Sequence, residues 1–217
     1  MSPILELISR FAVVPAIVLD DASKAASLAA ALVAGGLPIA EVTLRTPAAL
    51  EVIRIMARDA SLLVGAGTVL NKAQAEQAIA AGARFIVSPG MSKDLIEYCM
   101  ERKTLVIPGA VTASEIMLAT NLGVGCVKFF PCEASGGLPV LKALHGPFPA
   151  MRFMPTGGIN VESLPRYLKF DPVLAVGGTW MVLGDWLRDG NFDLVEAACR
   201  HTMSLVAMNK LHSTDAE

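Results

Sequence analysis

Charge is what this sequence has little of: Asp, Glu, Lys and Arg make up 18 % of its 217 residues, 18 of them basic and 20 acidic, for a net charge of −2. No basic tail or stripe is visible. Nucleic acid requires a clustered positive footprint, so no nucleic-acid partner is expected. An anionic small molecule remains compatible with this balance, because a few local donors suffice to hold one. Metal-ligand patterns are missing as well. The four cysteines, Cys99, Cys126, Cys132 and Cys199, form no CxxC pair, the three histidines are scattered, and no zinc spacing occurs, so no metal site is expected. The N-terminal stretch MSPILELISRF carries Glu6 and Arg10 and leads into no long apolar run. Neither a signal peptide nor a membrane span is read, and the cytoplasm is the expected compartment.

What is abundant is apolar: hydrophobic residues make up 53 % of the chain. That permits a large core and, with so little charge, implies that neighbouring subunits cover part of the surface. The length suits one domain, residues 1–217, near the short end for a (β/α)8 (TIM) barrel. No composition break or polar linker argues for a second.

Short β-branched runs alternate with longer Ala-rich ones. Ile4, Leu7, Ile8 and Phe11 recur at helical spacing and predict an additional N-terminal helix. Strands are then expected at Val13–Leu19, Ile39–Leu44, Leu62–Val69, Phe85–Val87, Leu105–Ile107, Cys126–Pro131, Arg152–Met154 and Val173–Gly178. Helices are expected between them, starting near Asp20–Ser23, Pro47, Lys72, Ser92, Ala113, Pro139, Val161 and Trp180, with a terminal helix over Phe192–Met208. Eight apolar strands, each followed by a helix, predict an α/β fold of the parallel-barrel type, with an open doubly wound sheet as the alternative.

In such a barrel the chemistry sits at the C-terminal ends of the strands. Two charges lie inside apolar strands, Glu41 in IAEVTL and Lys128 in CVKFFP. Buried charge is costly unless paired, so both carry information, although a structural ion pair would also explain them. Together they suit Schiff-base chemistry. An amine attacks a ketone only when neutral, and a free lysine is neutral to roughly one part in a thousand near pH 7.4; apolar burial enriches that form. A carboxylate nearby can move protons to and from a substrate hydroxyl.

Arg45, at the end of the Glu41 strand, reads either as a solvated loop residue or as a fork for a substrate anion. Thr68, in GAGTV, reads as a substrate donor or as the cap of the helix near Asn71. Two late glycine pairs, in Thr156–Gly157–Gly158 and Gly177–Gly178–Thr179, follow the seventh and eighth strands. With a nearby helix start, their amides can cradle phosphate, although a lone Gly–Gly is usually a turn. Cys126 and Cys132 read as small buried residues, His145 as a helix-end or surface residue, and Trp180 and Trp186 as packing. The SPG segment, Ser88–Gly90, shapes the rim or simply ends a strand.

The stretches VVPAIVL, ALVAGG, EVTLRT, VGAGTV, FIVSPG, VIPGA, VKFFPCEASGG, FMPTGGIN and AVGGTW, collinear from Val13 to Trp180, resemble the 2-keto-3-deoxy-6-phosphogluconate (KDPG)/4-hydroxy-2-oxoglutarate aldolase family. The resemblance implies a class I aldolase in a (β/α)8 barrel, a homotrimer that needs no metal or other cofactor. It implies Lys128 as the Schiff-base residue, Glu41 as general acid/base and Arg45 as a contact to the substrate anion. Thr68, Pro89 and Phe130 would line the pyruvate pocket, and Thr156, Gly157, Gly158, Gly177 and Gly178 would lie near the phosphate. Two positions depart from the family pattern: Thr179 stands where GGS is common, and Cys132 where FFPAE is common.

The implied reaction cleaves 2-dehydro-3-deoxy-6-phospho-D-gluconate to pyruvate and D-glyceraldehyde 3-phosphate in Entner–Doudoroff-type catabolism. Cleavage of 4-hydroxy-2-oxoglutarate or of a galactonate-derived stereoisomer, and decarboxylation of oxaloacetate, use the same iminium. A phosphosugar isomerase barrel without a covalent lysine is the alternative from another class.

Overall fold

The computed structural model describes residues 2–214, so Met1 and residues 215–217 of the expected single domain lie outside it. The chain is an α/β protein with a parallel β core and helices around it. The N-terminal helix α1 (Pro3–Phe11) is capped by Ser2, and its apolar face buries Leu5 and Ile8. Then follow β1 (Val13–Ile17), α2 (Ala25–Ala34), β2 (Ile39–Thr43), α3 (Ala49–Met56), β3 (Leu63–Gly67), α4 (Lys72–Ala80), β4 (Phe85–Val87), α5 (Lys93–Glu101), β5 (Leu105–Ile107) and α6 (Ala113–Asn121). The later units are β6 (Cys126–Val127), α7 (Gly137–His145), β7 (Arg152–Phe153), α8 (Leu164–Leu168), β8 (Val176–Gly178), α9 (Gly184–Asp189) and α10 (Phe192–Thr214). Among the described residues no helix is long and apolar enough to cross a membrane.

Six strands form one sheet in the order β5-β4-β3-β2-β1-β8, and β6 pairs with β7 in a second, all in parallel. The last strand lies beside the first, and the order never reverses, unlike a doubly wound sheet with its switch point. Between the two ladders the backbones meet in isolated bridges, Gly109↔Lys128 on one side and Phe153↔Val173 and Thr156↔Gly177 on the other.

Several strands are shorter than their apolar runs predict. Lys128 itself lies one residue beyond β6 rather than inside it. The strands β4 and β5 keep the expected bounds, and Lys128 still pairs past the end of β6, its N–H donating to the Pro108 carbonyl at 2.8 Å and its own carbonyl accepting from Ala110 N–H at 2.9 Å. Helix starts shift too. Asp21 caps a short 3-10 turn before α2, and Asn160 and Ser163 bond to each other, which delays α8 to Leu164. Val182 donates to the Thr179 carbonyl in a turn, so α9 begins at Gly184 and not near Trp180. Outside, α10 packs on α2, with Gly35 so near Cys199 that a Cβ there would lie 2.5 Å from the cysteine Cβ.

Candidate active site

Glu41 sits at the centre of β2, between Ala16 of β1 and Gly65 of β3, and is fully buried. A carboxylate there needs room and a partner. Gly67 of β3 supplies the room, because a Cβ at that position would come within 2.2 Å of Glu41 Oε1. Lys128 supplies the partner: its Nζ donates to Oε1 at 3.1 Å. The Lys128 side chain is 8 % exposed, and its ammonium lies 5.2 Å from the centroid of the Phe130 ring. The contact lets a proton pass directly between amine and carboxylate. Glu41 Oε2 has no hydrogen-bond partner among the described residues.

All of the residues singled out from the sequence line one cavity with this pair: Arg45, Thr68, Pro89, Phe130, Thr156, Gly157, Gly158, Gly177, Gly178 and Thr179. Arg45 is exposed at the rim and makes no ion pair among the described residues. Thr68, at φ 55°, does not cap α4; Asn71 does, accepting from the Gln74 N–H. Ser88 closes the SPG turn by donating to the Gly90 carbonyl, which leaves Pro89 against the cavity.

The two glycine pairs serve different ends. Gly157 and Gly158 take positive φ, 99° and 80°, where side chains are strained, and among the described residues their amides donate to no protein acceptor. Both glycines line the cavity, where free N–H groups can serve an anion. Gly177 and Gly178 are strand residues of β8 that permit close approach. A Cβ at Gly177 would lie 2.3 Å from Thr156 Oγ1, and one at Gly178 would lie 1.8 Å from the Trp180 ring. The expected helix N-terminus is not beside either turn, since α8 and α9 begin later. The donors left open there are the turn amides of Gly157 and Gly158.

Ala16, Thr43 and Ile159 also line the cavity. Sequence reasoning passed over them and Gly67, because uncharged residues within apolar runs carry no chemical signature. The one available signal was a GAG run inside a strand, which marks close approach of another group. The structure keeps the bland readings elsewhere. Cys126 and Cys132 are fully enclosed, and Trp180 and Trp186 pack on the core. His145 ends α7, edge-on to Phe153 and Phe170.

A family profile for KDPG and KHG aldolase matches residues 4–198. The chain belongs to this aldolase family. It is 43 % identical to the KHG/KDPG aldolase of Escherichia coli over 88 % of this chain and 90 % of that one. The KDPG aldolase of Zymomonas mobilis, crystallised with 3-phosphoglycerate, superposes with a TM-score of 0.87 at 42 % identity, covering 93 % of this chain and 95 % of that one. The KDPG aldolase of Legionella pneumophila, in which pyruvate was captured as a covalent carbinolamine, gives 0.87 at 38 %, covering 91 % and 97 %.

Proposed function

We propose that this aldolase cleaves 2-dehydro-3-deoxy-6-phospho-D-gluconate to pyruvate and D-glyceraldehyde 3-phosphate, with Lys128 as nucleophile and Glu41 as the proton carrier. The observation that carries the reading is the buried 3.1 Å contact between Lys128 Nζ and Glu41 Oε1 in a cavity edged by the glycine turn. The Lys128 amine adds to the C2 carbonyl, and loss of water leaves a protonated imine. Glu41 takes the proton of the C4 hydroxyl, the C3–C4 bond breaks, and its electron pair moves to the iminium nitrogen. The aldehyde departs, leaving an enamine. Glu41 returns the proton to C3, and water releases pyruvate from the lysine. Position and exclusion of water do the remaining work, with no cofactor in any step.

Arg45 and Thr68 hold the carboxylate end, Pro89 and Phe130 wall the methyl side, and Thr156, Gly157, Gly158, Gly177, Gly178 and Thr179 face the phosphate. The last assignment is supported by the open amides of Gly157 and Gly158 on the cavity wall. A second reading, cleavage of 4-hydroxy-2-oxoglutarate, shares the lysine chemistry and is favoured by the double name of the E. coli relative. The isomerase alternative leaves Lys128 without a task.

The same proposal takes residues 1–217 as one domain whose strands close as a (β/α)8 barrel, a reading supported by the bridges at Lys128 and Gly177. It takes the active form as a homotrimer, which would cover the exposed Leu70, Met117 and Leu118. It takes the compartment as the cytoplasm, where four free buried thiols are at home.

Borohydride trapping with pyruvate, intact mass and peptide mapping test the mechanism. An adduct on Lys128 that is absent from Lys128→Ala is the expected result. Folded protein that cleaves substrate without any adduct would refute it. Light scattering tests the assembly, with three times the 22.8 kDa chain mass expected.

A further inference from the structure

The turn Thr156–Gly158 rests on the loop that follows Lys128. Cys132 N–H donates to the Thr156 carbonyl at 2.8 Å, and Glu133 N–H to the Gly157 carbonyl at 3.1 Å. Glu133 lies directly under Gly158, where an added Cβ would come within 2.7 Å of the glutamate Cβ. Residues 132 and 133 are therefore the bed of the turn, and α8 holds that bed in place. The Tyr167 hydroxyl donates a short hydrogen bond to Glu133 Oε1, and Arg166 Nη2 donates to the same oxygen at 3.1 Å. The Cys132 thiol donates in turn to the Tyr167 oxygen at 3.3 Å. Tyr167 is fully buried. Desolvation, with the Cys132 and Glu133 hydrogen bonds, holds its phenol above the usual range, so it stays a donor at any working pH.

We propose that Tyr167 is a positioning residue for the phosphate end of the substrate. Through Glu133 it fixes the Thr156–Gly158 turn, and so sets the preference for phosphorylated over unphosphorylated 2-keto acids. The proposal rests on the function proposed for the site. Tyr167 does not itself line the cavity, and the Lys128–Glu41 pair is held by other elements, β2, β3 and the end of β6. Loss of the hydroxyl therefore separates phosphate binding from the covalent chemistry.

The test is Tyr167→Phe, assayed with 2-dehydro-3-deoxy-6-phospho-D-gluconate and with 4-hydroxy-2-oxoglutarate. For the phosphorylated substrate KM rises about five- to tenfold while kcat stays within about twofold, as loss of a bond to a charged acceptor predicts. Kinetics with the unphosphorylated substrate and borohydride trapping of pyruvate stay at wild-type values. Glu133→Ala, at a partly exposed side chain, removes the same anchor without opening the core and must give the same split. Glu133→Gln keeps an oxygen for Tyr167 and loses only a surface ion pair, so its KM stays near wild type. Equal losses on both substrates, or an unchanged KM for the phosphorylated one, would overturn the positioning role. A wild-type protein that cleaves neither substrate would instead overturn the function on which it rests.

Discussion

Gly67→Ala tests whether the backbone of β3 confines the Glu41 carboxylate, the proton carrier proposed for this site. Gly67 is extended strand paired with Thr43, so alanine meets no backbone objection there. Its new Cβ would lie 2.2 Å from Glu41 Oε1, 2.7 Å from Cγ and 2.8 Å from Cδ, where ordinary contact begins at 3.4 Å. Either the carboxylate moves by roughly 1 Å, away from Lys128, or β3 parts from β2. Forcing a methyl into a filled core costs about 1–3 kcal/mol. For a chain of this size that lowers Tm by about 3–10 °C. A misplacement of about 1 Å at a reacting group costs about 100-fold in kcat. Pyruvate release coupled to NADH oxidation by lactate dehydrogenase reads the rate, and a circular-dichroism melt reads the stability. Gly65→Ala is the control. Its Cβ would meet the Phe85 ring at 2.4 Å, with no Glu41 atom among its three nearest, so stability falls while kcat stays within about threefold. A Gly67→Ala enzyme with near wild-type kcat and Tm would refute the idea that this glycine makes the room Glu41 occupies.

The buried ion pair predicts asymmetric stability effects. Lys128→Met strands the Glu41 carboxylate in the core and costs about 3–5 kcal/mol by urea melt at pH 7, whereas adding Glu41→Leu recovers most of the loss. At the start of α6, Thr112 and Glu115 form a capping box. Burial pushes the Glu115 carboxyl up, but hydrogen bonds from Val111 N–H, Thr112 hydroxyl and Thr112 N–H outweigh it and leave the pKa below the usual 4.5. Glu115→Ala therefore costs about 1 kcal/mol at neutral pH. The difference from wild type is full above about pH 4.5 and shrinks as pH falls through the lower, folded-state value. Desolvation raises the thiols of Cys99 and Cys132 to about 11 and those of Cys126 and Cys199 to about 12. Native protein at pH 7.5 accordingly resists iodoacetamide, and all four react after denaturation; rapid native labelling of Cys132 would contradict its enclosure.

The residues that could be read from sequence alone were those whose placement is expensive. A carboxylate and an ammonium inside apolar runs each need a reason, and the cheapest shared reason is that they meet, which Glu41 and Lys128 do across 87 positions of sequence. The alternation of parallel strands and helices followed from apolar runs separated by helical ones. What resisted reading was governed by small differences. Strand ends depended on pairing between distant segments that a local apolar run does not encode, and Lys128 meets Gly109 in an isolated bridge just past β6. Thr68 was ambiguous until Asn71 was seen to hold the cap, although an Asn three positions before Gln74 already offered that competitor. Gly157 and Gly177 looked alike as halves of glycine pairs, yet one needs positive φ and the other needs only the absence of a Cβ. Sequence does not distinguish these demands, because glycine satisfies both. Tyr167 was invisible for the opposite reason. A tyrosine between leucines on a short helix reads as core, and it is core; only its hydroxyl, meeting Glu133 from 34 residues away, ties that core to the bed of the Thr156–Gly158 turn.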